Sequence, residues 1–356
     1  MPRSLRLTLT ILALAGAFPA GIAADGLTAY RGSAWAHLQA TAEPPVLWLG
    51  TERSVELPEA GAMGAARYDD LVLIDPQPDG PQPEGRAEWA VAGVARGADG
   101  PRFLLYAGRG GEVTALPAPE RARPGNRLAS ARWLASDGPE PLHGLAWLEA
   151  SRPRAQEVWL APWREGAFAP SVRLVADGPG SQTALDAAVL ADGSWLLVWC
   201  AFDGEDDELV WRQRQSDGNW VGGRVSTDNG VPDITPRLVV TPDGAAVAWS
   251  RYDGRVYRVR TARFEDGRWS DEDWAGPPDS LYPEWAGDDD TLLYLEGATR
   301  TWTAAGPAST LRFEAATATS ATPVLDRDTT SGLLRALWPG ASGWRAEPGR
   351  PAGARP

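Results

Sequence analysis

Three observations predict an all-β fold in which one antiparallel meander repeats around a ring: a single β-propeller of about seven four-stranded blades, with six as the other possible count. The chain carries 18 tryptophans. Asp-Gly turns recur between alternating apolar runs. Two long segments match each other at a period of about 50 residues.

The matching segments are ALDAAVLADGSWLLVWCAFDGEDDELVWRQRQSDGNWVGGRVS and TPRLVVTPDGAAVAWSRYDGRVYRVRTARFEDGRWSDEDW. In each, an apolar run meets an Asp-Gly turn, and a second run ends in an aromatic. A loop with another Asp-Gly follows, and a third run reaches a turn and a tryptophan. Asp-Gly between alternating runs marks a hairpin, because glycine accepts positive φ and the aspartate caps its own turn. Asp192 answers to Asp243, Trp199 to Trp249 and Trp220 to Trp269, at offsets of 51, 50 and 49 residues. Extending the second-strand aromatic both ways gives Trp48, Tyr106, Trp147, Trp199, Trp249, Tyr294 and Trp338 as blade anchors.

Helical patterning is nearly absent after the first residues, and 39 glycines with 31 prolines punctuate the chain. Short, evenly spaced strands with such turns form a sandwich or a closed β architecture, and a sandwich gives no reason for one unit to repeat. The last apolar segment, Thr322 to Trp344, holds about three strands. Residues Tyr30 to Leu38 are expected to lend the missing strand, so that N- and C-terminal strands close the ring and remove its edges.

The segment TPRLVVTPDGAAVAWSRYDGRVYRVRT resembles the blade repeat of TolB-type propellers. RQSDGNWVGGRVS and RFEDGRWSDEDW are similar to blade ends of sialidase-like propellers, although neither completes an Asp-box. The likeness covers Asn126 to Trp302 best. It implies an architecture rather than an activity, since propellers serve as hydrolases, lyases, binding proteins and scaffolds.

Arg3 and Arg6, the apolar stretch Leu7 to Phe18 and the small residues Ala20 to Ala24 read as a signal peptide cleaved after Ala23 or Ala24. The stretch is too short to span a bilayer. The expected organisation is a leader at 1–24, the propeller at 25–346 and a disordered Pro/Gly/Arg tail at 347–356, with the mature chain periplasmic or secreted. Against 34 basic residues, all arginine, stand 47 acidic ones, for a net charge of -13. Such a surface repels phosphate backbones and anionic lipid, which argues against nucleic-acid partners and membrane insertion. A monomer is expected. The one cysteine, Cys200, lies in an apolar strand and forms no internal staple.

No HExxH, phosphate loop or nucleophile elbow occurs. The two histidines, His37 and His143, belong to different blades and read as structural. No cofactor is expected. Calcium is the metal the composition would allow, with Asp203, Asp206 and Asp207 as candidate ligands and Asp288 to Asp290 as a second acidic run. Counting back from the turns places Asp186, Arg237 and Glu284 at one position on the first strands of consecutive blades. First strands line a propeller's channel, so these three form an expected acid, base, acid arc there. A sialidase-like centre would need three arginines and a tyrosine; only Arg237 falls on an inner strand, with Tyr252 and Tyr282 near blade ends. The favoured function is an exported, non-catalytic propeller presenting one face to a protein or carbohydrate ligand, with Trp163, Trp274 and Trp285 as exposed stacking groups. The alternative is a glycan-acting hydrolase or lyase using Asp186 and Glu284 at the channel.

Overall fold

In a computed structural model, the described residues are 26–31, 34–39, 45–50, 53–57, 66–73, 87–98, 100–109, 111–120, 127–135, 143–150, 156–164, 166–174, 181–286, 291–306, 310–314, 323–327, 334–340 and 343–351. The expected signal peptide and the run Asp288 to Asp290 lie outside them. All regular structure among the described residues is β, in seven antiparallel sheets, and no helix is long and apolar enough to cross a membrane.

Each sheet is a meander in chain order. The first holds β1 (Gly26–Arg31), β2 (Ala34–Gln39), β3 (Val46–Leu49) and β4 (Arg53–Glu56). The second holds β5 (Ala66–Leu73), β6 (Trp89–Gly97), β7 (Gly100–Arg109) and β8 (Glu112–Ala115). The third comprises β9 (Arg127–Ala135), β10 (His143–Ala150) and β11 (Gln156–Arg164), edged by β12 (Ala167–Phe168) and β13 (Val172–Leu174). The fourth comprises β14 (Gln182–Val189), β15 (Trp195–Phe202), β16 (Asp207–Arg214) and β17 (Trp220–Arg224). In the fifth, β18 (Asp233–Thr241), β19 (Gly244–Tyr252) and β20 (Tyr257–Glu265) are edged by β21 (Arg268–Trp269) and β22 (Asp273–Trp274). The sixth has β23 (Ser280–Ala286), β24 (Thr291–Glu296), β25 (Thr301–Ala305) and β26 (Thr310–Glu314). The seventh has three strands, β27 (Val324–Arg327), β28 (Leu334–Gly340) and β29 (Gly343–Pro348).

The ring follows from how the sheets bury both faces. In β15, Trp195, Leu197 and Trp199 pack against the third sheet, while Leu196, Val198 and Cys200 pack against the fifth. Alternate residues therefore serve opposite interfaces, and a strand buried on both sides reads as the continuous apolar run WLLVWCA. Seven buried apolar clusters result, one at each junction of successive sheets, including the junction of the seventh with the first. The first strands β1, β5, β9, β14, β18 and β23 touch in succession, which places them innermost.

Two sequence expectations change here. N- and C-terminal strands do close the ring, but by side-chain packing: Trp344 meets Trp35, His37 and Trp48 at ring-centroid distances of 5.1, 5.0 and 6.0 Å. The segment from Tyr30 to Leu38 instead builds the first two strands of its own sheet. Strand pairing also continues into the expected tail. β29 reaches Pro348, and β30 (Arg350–Pro351) pairs with β26.

Candidate functional site at the inner strands

Five consecutive first strands each bring one charged residue to the same register. Asp70 pairs with Ala92, Arg132 with Ala146, Asp186 with Val198, Arg237 with Ala248 and Glu284 with Leu293. From the second row of the ring onward the order is acid, base, acid, base, acid. The arc stops at the seventh sheet, where Val324 takes the position opposite Leu337.

A break in register aims four of these five side chains. Pairing slips just before Asp70, Asp186, Arg237 and Glu284. In three of these the residue two places earlier, Ala184, Thr235 or Tyr282, has a left-handed φ of 47°, 55° or 54°. Bulges of this kind bend a strand and re-aim the following side chain. Left-handed φ at a residue with a Cβ costs of order 1 kcal/mol, so the surrounding sheet must hold it.

The arc is stitched from blade to blade. Asp70 Oδ2 accepts the Trp133 backbone N–H at 2.6 Å. Arg132 Nε donates to Asp186 Oδ1 at 3.1 Å, and its Nη1 reaches the Asp69 carbonyl. Asp186 Oδ2 accepts the Leu238 N–H at 2.8 Å, in the same way that Asp70 holds Trp133. Arg237 Nε donates to Glu284 Oε1 at 2.8 Å, and the Trp285 indole donates back to the Arg237 carbonyl at 2.9 Å. The Arg132–Asp186 pair is nearly dry, with side chains 10% and 13% exposed. The Arg237–Glu284 pair is wetter, at 30% and 36%.

Burial pushes the Asp70 carboxyl up to about 6. The neighbouring Asp186 charge adds to the rise, while Arg132, the Trp133 N–H and Arg237 limit it. Burial works against the charge on Arg237, but Glu284 and Asp186 outweigh it and hold the guanidinium above its ordinary pKa. The arc thus keeps one carboxyl raised to about 6 among acids and arginines that are ion-paired with one another.

The structure places Asp186, Arg237 and Glu284 at one register of consecutive first strands, and adds Asp70 and Arg132, which sequence reasoning missed. Tyr282 is a bulge residue and Tyr252 rings against Tyr257 at 5.3 Å. His37 is buried, which lowers its pKa to about 4, and His143 opens β10. Burial likewise pushes the Cys200 thiol well up. Of the three tryptophans expected to be exposed, Trp163 packs on Phe168 at 4.7 Å and Trp285 is half-buried. Trp274 is exposed, with the Arg258 and Arg260 guanidiniums 4.3 and 4.0 Å from its ring centroid. In the acidic run, ligand atoms of Asp203, Asp206 and Glu208 gather within 4.8 Å of one another. The expected Asp207 is replaced by Glu208, because strand alternation turns residue 207 to the other side.

A cleft of about 290 Å³ lies away from the arc, lined by Thr227, Asn229, Arg251, Arg260 and Glu272 among others. Three of its charged groups, Arg251, Arg260 and Glu272, are spent in ion pairs. Arg251 binds Asp233 through Nε at 2.7 Å and Nη2 at 2.6 Å, and Glu272 takes both Arg251 and Arg260. The arc is the better candidate, because it lines up acids and arginines at one register of five inner strands and one of its carboxyls, Asp70, is raised by burial to about 6.

No family model and no curated protein matches the chain. Solved structures similar in fold include a polysaccharide lyase, Uly1, with 11% identity, 90% of this chain and 86% of the other covered, and a TM-score of 0.48. They also include the GH93 α-L-arabinofuranosidase of Fusarium graminearum in complex with arabinobiose, at 10% identity, 73% and 89% coverage and TM-score 0.46. A thermostable family-43 glycoside hydrolase matches at 13% identity, 73% and 95% coverage and TM-score 0.43. All three are glycan-acting enzymes, and on that finding the sequence expectation of a non-catalytic scaffold is corrected. A likeness this remote does not itself carry a function, which has to be argued from the arc.

Proposed function

We propose that the chain is a glycan-acting enzyme whose reacting groups are the inner-strand carboxylates. The observation that carries this reading is Asp70, a carboxyl held near pKa 6 within an alternating arc of acids and arginines. Cleaving a glycosidic bond needs an acid to protonate the leaving oxygen and a second carboxylate on the other side of the reacting carbon. Asp70 carries the proton. Glu284, the most open carboxylate of the salt-bridged set, has one side in solvent and serves as the base, either for water in hydrolysis or for a ring proton in elimination. Arg237 and Arg132 hold the acids in place, and a uronate carboxylate entering the arc would meet Arg237, the more exposed guanidinium. The reading also carries the expected export: a secreted or periplasmic chain meets polysaccharide there.

The test is a panel of neutral and uronate-containing polysaccharides, followed by new reducing ends and by absorbance of unsaturated products at about 235 nm. Reducing ends alone indicate hydrolysis; both signals together indicate a lyase. Asp70→Asn and Glu284→Gln should each lower kcat by about 100-fold or more. Wild-type rates in both variants, or no turnover of any member of the panel, would overturn the proposal.

A further inference from the structure

We propose that Asp203, Asp206 and Glu208 form a divalent-cation site of the oxygen-ligand class that takes Ca2+, at the hairpin joining β15 to β16. One ligand atom from each lies within 4.8 Å of the others. Oxygens about 2.3–2.6 Å from one calcium ion stand at most about 5 Å apart, so a single ion can be shared by all three.

The independent sign of a ligand is Asp206. It is only 7% exposed, yet neither carboxylate oxygen has a hydrogen-bond partner in the protein. A buried, unpartnered carboxylate is costly unless it is paired or binds a metal. Among the described residues, the guanidinium that pairs with this cluster is already shared out. Arg224 donates to Asp203 Oδ2 at 3.2 Å, meets Asp228 at 3.1 Å and approaches Glu208 Oε1 at 3.9 Å. Asp233 is near as well, but it is bound to Arg251 and the Trp249 indole.

The other two ligands are pre-aimed. Glu208 accepts the Ser226 hydroxyl at 3.0 Å and the Asn229 N–H at 3.3 Å. Asp203 Oδ1 accepts the Glu205 and Asp206 N–H groups at 3.0 and 3.4 Å. The hairpin brings Asp206 to the side of β16 that carries Glu208.

The next blade supplies an internal control. There Asp253 Oδ1 accepts the Arg255 and Val256 N–H groups, both at 2.9 Å, in the same turn. Val256 and Arg258 stand where Asp206 and Glu208 stand here, and Arg258 turns to the Gly276 carbonyl. The turn therefore closes without further carboxylates, and the two extra acids serve something besides the hairpin. A bound cation would neutralise them and tie the hairpin to the segment from Ser226 to Asn229.

The test compares thermal unfolding of the full chain in EGTA and in about 1 mM free Ca2+, with binding followed by calorimetry. The wild type should bind one equivalent and gain at least about 3 °C in Tm. Asp206→Asn should be no less stable than wild type in EGTA, since it removes an unpaired buried charge, and should lose the Ca2+ response. Glu208→Gln should weaken binding by at least about 10-fold. A wild-type Tm indifferent to Ca2+ with no calorimetric signal would overturn the proposal. So would undiminished binding by Asp206→Asn, or a marked loss of that variant's stability in EGTA.

Discussion

Replacing Asp70 with asparagine tests the electrostatics of the arc without needing a substrate. In the folded chain the carboxyl titrates at about 6, against 3.8 for an ordinary aspartate. The folded state thus holds this proton more tightly than the unfolded one. Its stabilising effect is complete below about pH 3.8 and is lost as the pH rises through 6. A difference of about two units corresponds to roughly 3 kcal/mol at about 1.4 kcal/mol per unit. Asparagine cannot ionise, and its side-chain oxygen still accepts the Trp133 N–H. The variant should therefore match the wild type near pH 3.5 and exceed it by about 3 kcal/mol at pH 7.5. Urea unfolding across that range reads the difference directly. Asp206 and Glu208, raised to about 6 and about 7 chiefly by burial, tilt both proteins alike and cancel. A difference that stays flat with pH, or a variant weaker than wild type at pH 7.5, would refute the reasoning.

Other perturbations separate packing from charge. Trp249 is fully buried and its indole donates to Asp233 at 2.8 Å, so Trp249→Ala should cost about 3–5 kcal/mol by urea unfolding. Arg132→Ala strips a nearly dry ion pair and should cost about 3 kcal/mol, whereas Arg237→Ala, at a wetter pair, should cost about 1 kcal/mol. Equal losses at the two arginines would show that the burial contrast is unimportant. A methyl group at Gly108 would overlap the buried Trp89 ring and lie 2.6 Å from the Glu112 carbonyl, so Gly108→Ala should lower stability by about 1–3 kcal/mol.

The repeat was legible because packing forces it: a strand buried on both faces must be apolar throughout, and Trp147, Trp199, Trp249, Tyr294 and Trp338 all stand on second strands. Trp48 and Tyr106 stand on third strands instead, β3 and β7, which explains their irregular spacing. The same limit hid Asp70 and Arg132. Counting back from a turn works where the hairpin is short, as at residues 242–243 between β18 and β19. It fails where the connection spans 136–142 or 74–88. The acidic run announced possible ligands, but only the strand's pleat decides between Asp207 and Glu208. The titration of Asp70 depends on burial made by neighbouring blades, which no local stretch of sequence records.

The joint at Trp344 gives the ring a seam. Six junctions lie between blades that follow one another along the chain, so each is also tethered covalently. The seventh joins the two ends of the chain, and among the described residues it rests on side-chain packing of Trp35, Trp48, Val324, Leu337 and Trp344, with no strand crossing between the sheets. Closure there is a docking event between two finished blades, completed only after most of the chain has been made. It is also where the circle can part while every sheet keeps its own hydrogen bonds. The charged arc runs from the second to the sixth blade and stays clear of this seam.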